Sequence, residues 1–213
     1  MQGIFHIAID GLVASGKGTV AKELANRLGI SCLDTGALYR GTALYMLQNN
    51  VAIHDESAVV NAAAMMSMTV VVSDCVTRIF LNNTEVTDQL RTAEVSSAAS
   101  IIAYDGIRAQ LTQIMRQVAQ NQSFVVEGRD IALRVLPDAK YKFYLTAKPK
   151  VRAKRRLEQQ TGSVDFKTML REIKARDRRD RKRTPRVKSA IVIDNSNMTL
   201  DETLDAFIRH IVC

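Results

Sequence analysis

The sequence contains no tryptophan, three prolines and ten glycines, and its aromatic residues amount to 5%. So few chain breakers exclude a collagen-like or proline-rich chain, and 46% hydrophobic with 24% charged residues is the composition of a folded protein with a core. Cysteine is equally sparse. Cys32, Cys75 and Cys213 are odd in number and far apart, with no C-x-x-C pair and no clustered histidines. That excludes a disulfide framework and a zinc site and leaves ordinary reduced thiols. Long hydrophobic runs are also missing. The longest, 58–72, is broken by Asn61 and Ser67 and falls short of the ~20 residues that a spanning helix needs. The N-terminal MQGIFHIAID lacks the basic and apolar regions of a secretory signal, so a cytoplasmic protein without membrane contact is expected. A length of 213 residues suits a single domain, 1–213, with insertions.

Acidic residues are in deficit, and unevenly so. The net charge is +8, yet residues 148–188 hold 17 Lys+Arg against 5 Asp+Glu, leaving 13 against 17 for the rest. One segment therefore carries the excess, and it must face an anion or solvent. Nucleic acid is one candidate. Against it stand the low aromatic content, the lack of an aromatic-interleaved stacking motif, and Asp177 and Asp180 inside the basic run, which a surface tracking a phosphate backbone would avoid.

Hydrophobic patterning alternates between short buried strands and helices. Strands are expected at 4–9, 30–33, 124–126, 141–145 and 190–193, with helices at 17–28, 37–48, 93–102 and 107–120 and a last helix opened by the Thr199/Glu202 capping box. The segment 68–86, with its turn-rich SDCVT and LNNTEV, predicts a small antiparallel meander. The fold class expected is α/β, with a parallel core sheet whose ligand site lies at the carboxyl ends of the strands.

That site is announced by Gly11-Leu12-Val13-Ala14-Ser15-Gly16-Lys17-Gly18-Thr19. A strand running into a glycine turn that opens a helix points backbone N–H groups and a positive dipole end at a phosphate. Lys17 adds a mobile charge for the outer phosphates. Gly18 stands where the strict pattern has the hydroxyl that binds Mg²⁺. With no direct protein ligand, the ion would be held through phosphate oxygens and water, which its reluctance to dehydrate allows. Glu127 is a candidate to orient such a water.

G-K-G-T in place of G-K-S/T resembles nucleoside monophosphate kinases, and LDTGALYRG at 33–41 resembles the D-[ST]-G-A-x-Y-R motif of bacterial cytidylate kinases. The similarity continues in order through TDQLRTAEVSSAAS, VVEGRDI, LPDA and REIKARDRRDRKR, covering nearly the whole chain. The resemblance implies a P-loop kinase, three-layer α/β/α, that phosphorylates CMP and dCMP with ATP and Mg²⁺. It also implies an acceptor-binding insertion at 35–100 and a helical lid at 148–185. A monomer is expected.

Site residues follow from the chemistry and the resemblance together. Residues 11–19 and Arg155 are assigned to ATP. Thr35, Tyr39 and Arg40 are candidates to cradle the acceptor, with Arg40 on its phosphate; the alternative is a helix N-capped by Thr35. Arg129 and Asp130 offer a donor fork beside an acceptor, suited to the cytosine edge, and the resemblance adds Ser100 and Arg108. On a helix, Arg176, Arg179, Asp180 and Arg183 fall within an arc of about 100° that continues the stripe of Met169 and Ile173. The three guanidiniums can clamp phosphates while Asp180 orients Arg176 and accepts from ribose. Lys17, Arg129, Arg176, Arg179 and Arg183 form the expected catalytic set. Arg152, Lys154, Arg155 and Arg156 are too crowded to all reach substrate, and most are expected in solvent.

Two departures from the family stand beside the phosphates and the base. Leu12-Val13-Ala14 replaces Pro-Ser-Gly, which requires Ala14 in a conformation open to alanine, and Ala132-Leu133-Arg134 follows where Gly-Thr is usual. Another acceptor, such as UMP, AMP or shikimate, and a nucleotide sensor without activity remain as alternatives.

Overall fold

The apolar run HIAID forms the first strand, β1 (His6–Asp10), in which every residue after His6 is buried. In the computed structural model, which describes residues 3–159, 164–181 and 183–211, β1 leads through the glycine turn into α1 (Lys17–Leu28). Val20, Ala21, Leu24 and Ala25 form its buried face, and a left-handed Gly29 ends it, as expected from sequence.

Contacts divide the chain into two units, Met1–Ile30 with Phe124–Cys213, and Ser31–Ser123. The second unit opens with β2 (Ser31–Asp34) and α2 (Thr35–Gln48). The cap of α2 is Asp34, whose carboxylate accepts from the Ala37 amide at 3.2 Å, so Thr35 is a buried first-turn residue and not the N-cap. Next comes α3 (Glu56–Ala64), capped by Asp55, a helix that overlaps the apolar run at 58–72 and is not among those expected from sequence. The expected meander follows as β3 (Met68–Ser73), β4 (Val76–Leu81) and β5 (Thr84–Glu85), antiparallel in that order. Both connections place two non-glycine residues at positive φ, Asp74 and Cys75, then Asn82 and Asn83, the backbone of two-residue hairpin turns. A 3₁₀ turn (Thr87–Arg91), α4 (Ala93–Ile101) and α5 (Asp105–Ala119) complete the unit.

The chain returns to the first unit with β6 (Phe124–Gly128), a π-helical turn (Ile131–Val135), β7 (Tyr141–Thr146), α6 (Pro149–Glu158), α7 (Phe166–Asp180), β8 (Ile191–Asp194) and α8 (Leu200–Ile211). Strands β6, β1, β7 and β8 are neighbours in that order and all parallel. Ile7, Ile9, Val125, Val126, Phe143 and Leu145 are fully buried between the layers, and Phe143 meets Phe207 of α8 with ring centroids 4.4 Å apart. The fold is thus α/β with a parallel core sheet, as the sequence implied.

Register decides where the site lies. Asp10 pairs with Gly128 and Tyr144, and Thr146 with Asp194, so the segments that begin at 11, 129, 147 and 195 leave the sheet along one edge. The capping box of α8 is present, with Glu202 accepting from the Thr199 amide at 2.8 Å. One expectation fails: α7 ends at Asp180, so Arg183 does not ride the helical stripe. Pro185, which cannot continue a helix, follows closely. The turn expected at Gly162-Ser163, along with Thr161 and Cys213, lies outside the described residues. Neither Cys32 nor Cys75 is in a disulfide. Among the described residues no helix is long and apolar enough to cross a membrane.

Candidate active site

The loop after β1 starts at Gly11, where a Cβ would lie 2.1 Å from the Leu145 carbonyl oxygen. Only glycine lets the backbone pass β7 that closely. From there the carbonyls are engaged by side chains, two of them the loop's own. Gly11 O accepts from Arg129 Nη1 at 3.0 Å, Leu12 O from Ser15 Oγ and Lys17 Nζ at 2.9 Å each, Val13 O from Arg152 Nη1 at 3.2 Å, and Ser15 O from Asn195 Nδ2 at 3.2 Å. A loop whose carbonyls are taken up by side-chain donors leaves its N–H groups for an anion at the start of α1, the arrangement of an anion nest.

Ala14 has φ 56, in the left-handed region. The expectation of a conformation open to alanine is therefore not met, and the Cβ costs roughly 1–2 kcal/mol there. Packing and hydrogen bonding hold it: Val13 and Ala14 lie against Ala153, Met169 and Ile173 of α6 and α7, beside the Arg152 bond to Val13.

Lys17 is 5% exposed. Burial, with the Arg129 guanidinium beside it, pushes its pKa down to about 7, against the opposing pull of Glu127 and Asp10. The same crowding acts on Arg176, lowered to about 10 by burial and then by Arg129. Asp180, buried at the end of α7, is their shared counter-charge, 3.3 Å from Arg129 Nε and 3.7 Å from Arg176 Nε. Arg179 is exposed, and Arg183 is half-buried beyond the helix, its amide donating to Asp180 O at 2.8 Å.

Arg129 and Asp130 do not present one joint edge. Arg129 reaches Gly11 O and Asp180, while Asp130 lies 3.5 Å from Arg134. Their turn is organised by Asp10, which sequence reasoning passed over. Its carboxylate, 2% exposed, accepts from the amides of Ile131 at 2.7 Å and Ala132 at 2.9 Å, and burial raises its pKa to about 6. An acid closing an otherwise apolar strand was the available signal.

The expectation that most of Arg152, Lys154, Arg155 and Arg156 lie in solvent is not met, since Arg155 and Arg156 are half-buried. Arg152 is 2% exposed and pairs bidentately with Asp177 at 2.9 and 2.6 Å, while Lys154 is exposed. Arg155 bonds Asn195 Oδ1 at 3.0 Å and its carbonyl at 2.9 Å, and Asn195 itself was not predicted. In the second unit, α2 carries Thr35, Tyr39 and Arg40, α4 carries Ser100, and α5 carries the buried Arg108. Arg40 Nη2 donates to Asp34 Oδ2 at 2.7 Å, and Gly36 leaves the room: a Cβ there would lie 2.9 Å from Arg40 Nη1.

Residues 7–212 match the cytidylate kinase family. The chain belongs to that family. Curated cytidylate kinases from Thermosipho melanesiensis, 41% identical over 96% of this chain and 95% of its own, and from Leuconostoc mesenteroides, 36% identical over 94% and 93%, are among its relatives. A crystal structure of shikimate kinase from Bacteroides thetaiotaomicron, 11% identical over 99% of this chain and 100% of its own, superposes with a TM-score of 0.52 and shows the P-loop kinase fold. Val13 and Ala14, expected from sequence to depart from the family pattern, both pack against α6 and α7.

Proposed function

We propose that this cytidylate kinase family member transfers the terminal phosphoryl group of ATP to CMP, and to dCMP, with Mg²⁺. The observation that carries the reading is the loop at 11–17, with its carbonyls engaged by side-chain donors and a buried lysine at the helix start. The acceptor oxygen of a monophosphate is already anionic, so no strong general base is needed. The chemistry asks for alignment and charge stabilisation. Lys17, Arg129 and Arg176 supply three cations whose repulsion Asp180 moderates, and Arg179 and Arg183 add to the clamp. Their desolvation favours an anion, because binding phosphate restores the charge balance that burial disturbs.

Mg²⁺ fits this donor set through water. Glu127 Oε1 stands 3.7 Å from where a Cβ of residue 18 would be, a carboxylate beside the position of the missing hydroxyl. The ion, when bound with ATP, would neutralise phosphate charge, with Glu127 receiving its waters. On the acceptor side, Thr35, Tyr39 and Arg40 take the CMP phosphate and sugar, and Ser100, Arg108 and Asp130 take the cytosine, as the family resemblance implies. Asp177 and Asp180 bind arginines of the protein itself, which supports a basic segment serving a small anionic ligand in a cytoplasmic monomer over one serving nucleic acid.

The test is coupled ADP release with ATP and Mg²⁺ against CMP, dCMP, UMP, AMP and shikimate, with Lys17→Ala as control. Turnover with CMP that the variant loses is expected. Turnover with a different acceptor, or none, overturns the assignment.

A further inference from the structure

The side chain of Arg152 is withdrawn from solvent. It is 2% exposed, Nε donates to Ala147 O at 2.9 Å, Nη1 to Val13 O at 3.2 Å and Asp177 Oδ1 at 2.9 Å, and Nη2 to Asp177 Oδ2 at 2.6 Å. One guanidinium thus joins the end of β7, the phosphate loop and α7. A buried ion pair is a poor source of net stability, since desolvation of both charges offsets their attraction. Its geometry suits another task.

We propose that Arg152 is a positioning residue for the ATP phosphates, acting through the Val13 carbonyl, with Asp177 holding it in place; this rests on the reading of residues 11–17 as the donor-phosphate site. The 13–14 peptide has two competing orientations. With Ala14 left-handed, Val13 O faces Arg152 and the Ala14 amide is on the side of the nest. If the peptide rotates, Ala14 escapes its unfavourable φ of 56, but a carbonyl dipole then opposes the phosphates. Alanine favours the rotation, and the charge-assisted bond from Arg152 resists it. Asp177 is needed because a guanidinium bound to one neutral carbonyl would be left buried without a counter-charge.

Arg152→Met and Asp177→Asn, singly and together, test this by calorimetric ATP binding and by KM for ATP and for CMP. Arg152→Met is expected to weaken ATP binding about ten- to a hundredfold while KM for CMP moves little. Asp177→Asn should act in the same direction by less, and the double variant should be no worse than Arg152→Met. Adding Ala14→Gly to Arg152→Met is expected to restore most of the ATP affinity, because glycine accepts the left-handed conformation freely. Unchanged ATP affinity in folded Arg152→Met, equal losses for ATP and CMP, or failure of Ala14→Gly to restore binding each overturn the proposal. If Arg152→Met does not fold, the ATP-against-CMP split in Asp177→Asn decides in its place. Calorimetry reads ATP binding without turnover, so loss of the CMP kinase assignment leaves this test intact.

Discussion

Asp177 and Asp180 lie one turn apart on α7, yet they hold arginines in opposite ways. Asp177 meets one guanidinium through two short bonds, 2.9 and 2.6 Å, and that guanidinium is buried. Asp180 is shared between two arginines at 3.3 and 3.7 Å, and Arg176 Nε makes no hydrogen bond among the described residues. The first arrangement is saturated, and the second leaves donors for an anion. Closed contacts suit residues that shape the loop, and open ones suit the residues proposed to meet substrate. The last turn of α7 therefore divides by face, Asp177 bracing Arg152 while Arg176 and Asp180 keep the open arrangement, beyond Met169 and Ile173 in the core.

The sharpest break of this contrast is Arg176→Met. Removing one preorganised cation from a phosphoryl-transfer site costs about 10²–10³ in kcat. Stability should hold or rise, because Arg129 and Arg176 repel each other and Asp180 retains Arg129. Turnover on the CMP assay with a parallel thermal melt checks both. A fall in Tm without loss of kcat would place Arg176 among the struts and dissolve the distinction.

Asp10 belongs with the closed group, and its titration gives a pH signature. Its folded pKa, about 6, lies above the ordinary carboxylate value of 3.8, so the folded state holds the proton more tightly. The stabilisation this gives is fully present below about 4 and is lost as pH rises through about 6. Asp10→Asn should flatten that part of the stability-against-pH curve. It should also cost about 1–3 kcal/mol at neutral pH, because one of the two amides at Ile131 and Ala132 loses its acceptor. Urea melts between pH 4 and 8 measure both effects, and an unchanged slope would mean that Asp10 does not titrate as its burial implies.

What the sequence disclosed is what short-range chemistry specifies. The loop, α1 with its glycine stop, the meander and the Thr199 capping box all rest on residues within a few positions of each other. α3 carried such a signal, Asp55 accepting from the Ala58 amide, but the apolar run after it obscured the start of a helix. Arg152 could not be read this way. Lysine and arginine at such a spacing look solvated, and only Asp177, 25 positions later, makes burial of the charge tolerable. Asn195 is similar, since its partner Ser15 O lies 180 residues earlier. The end of α7 was signalled by Pro185, and the charge pattern of the preceding turns masked it.

The smallest expected effect is the most specific test of the closed side. Ala14→Gly removes the left-handed penalty of roughly 1–2 kcal/mol, and it raises the entropy of the unfolded chain by an amount worth about 0.4–1 kcal/mol in the other direction. It also deletes a half-buried methyl group packed against the Ala153, Met169 and Ile173 cluster. At the middle of these ranges the terms nearly cancel, leaving a gain of about 0.5 kcal/mol and a Tm shift of a degree or two. A loss of about 1 kcal/mol or more in a two-state melt would show that the φ of Ala14 carries little strain and that the methyl contact dominates. The loop would then be held chiefly by side-chain packing on α6 and α7, with the Arg152 bond to Val13 as its accompaniment.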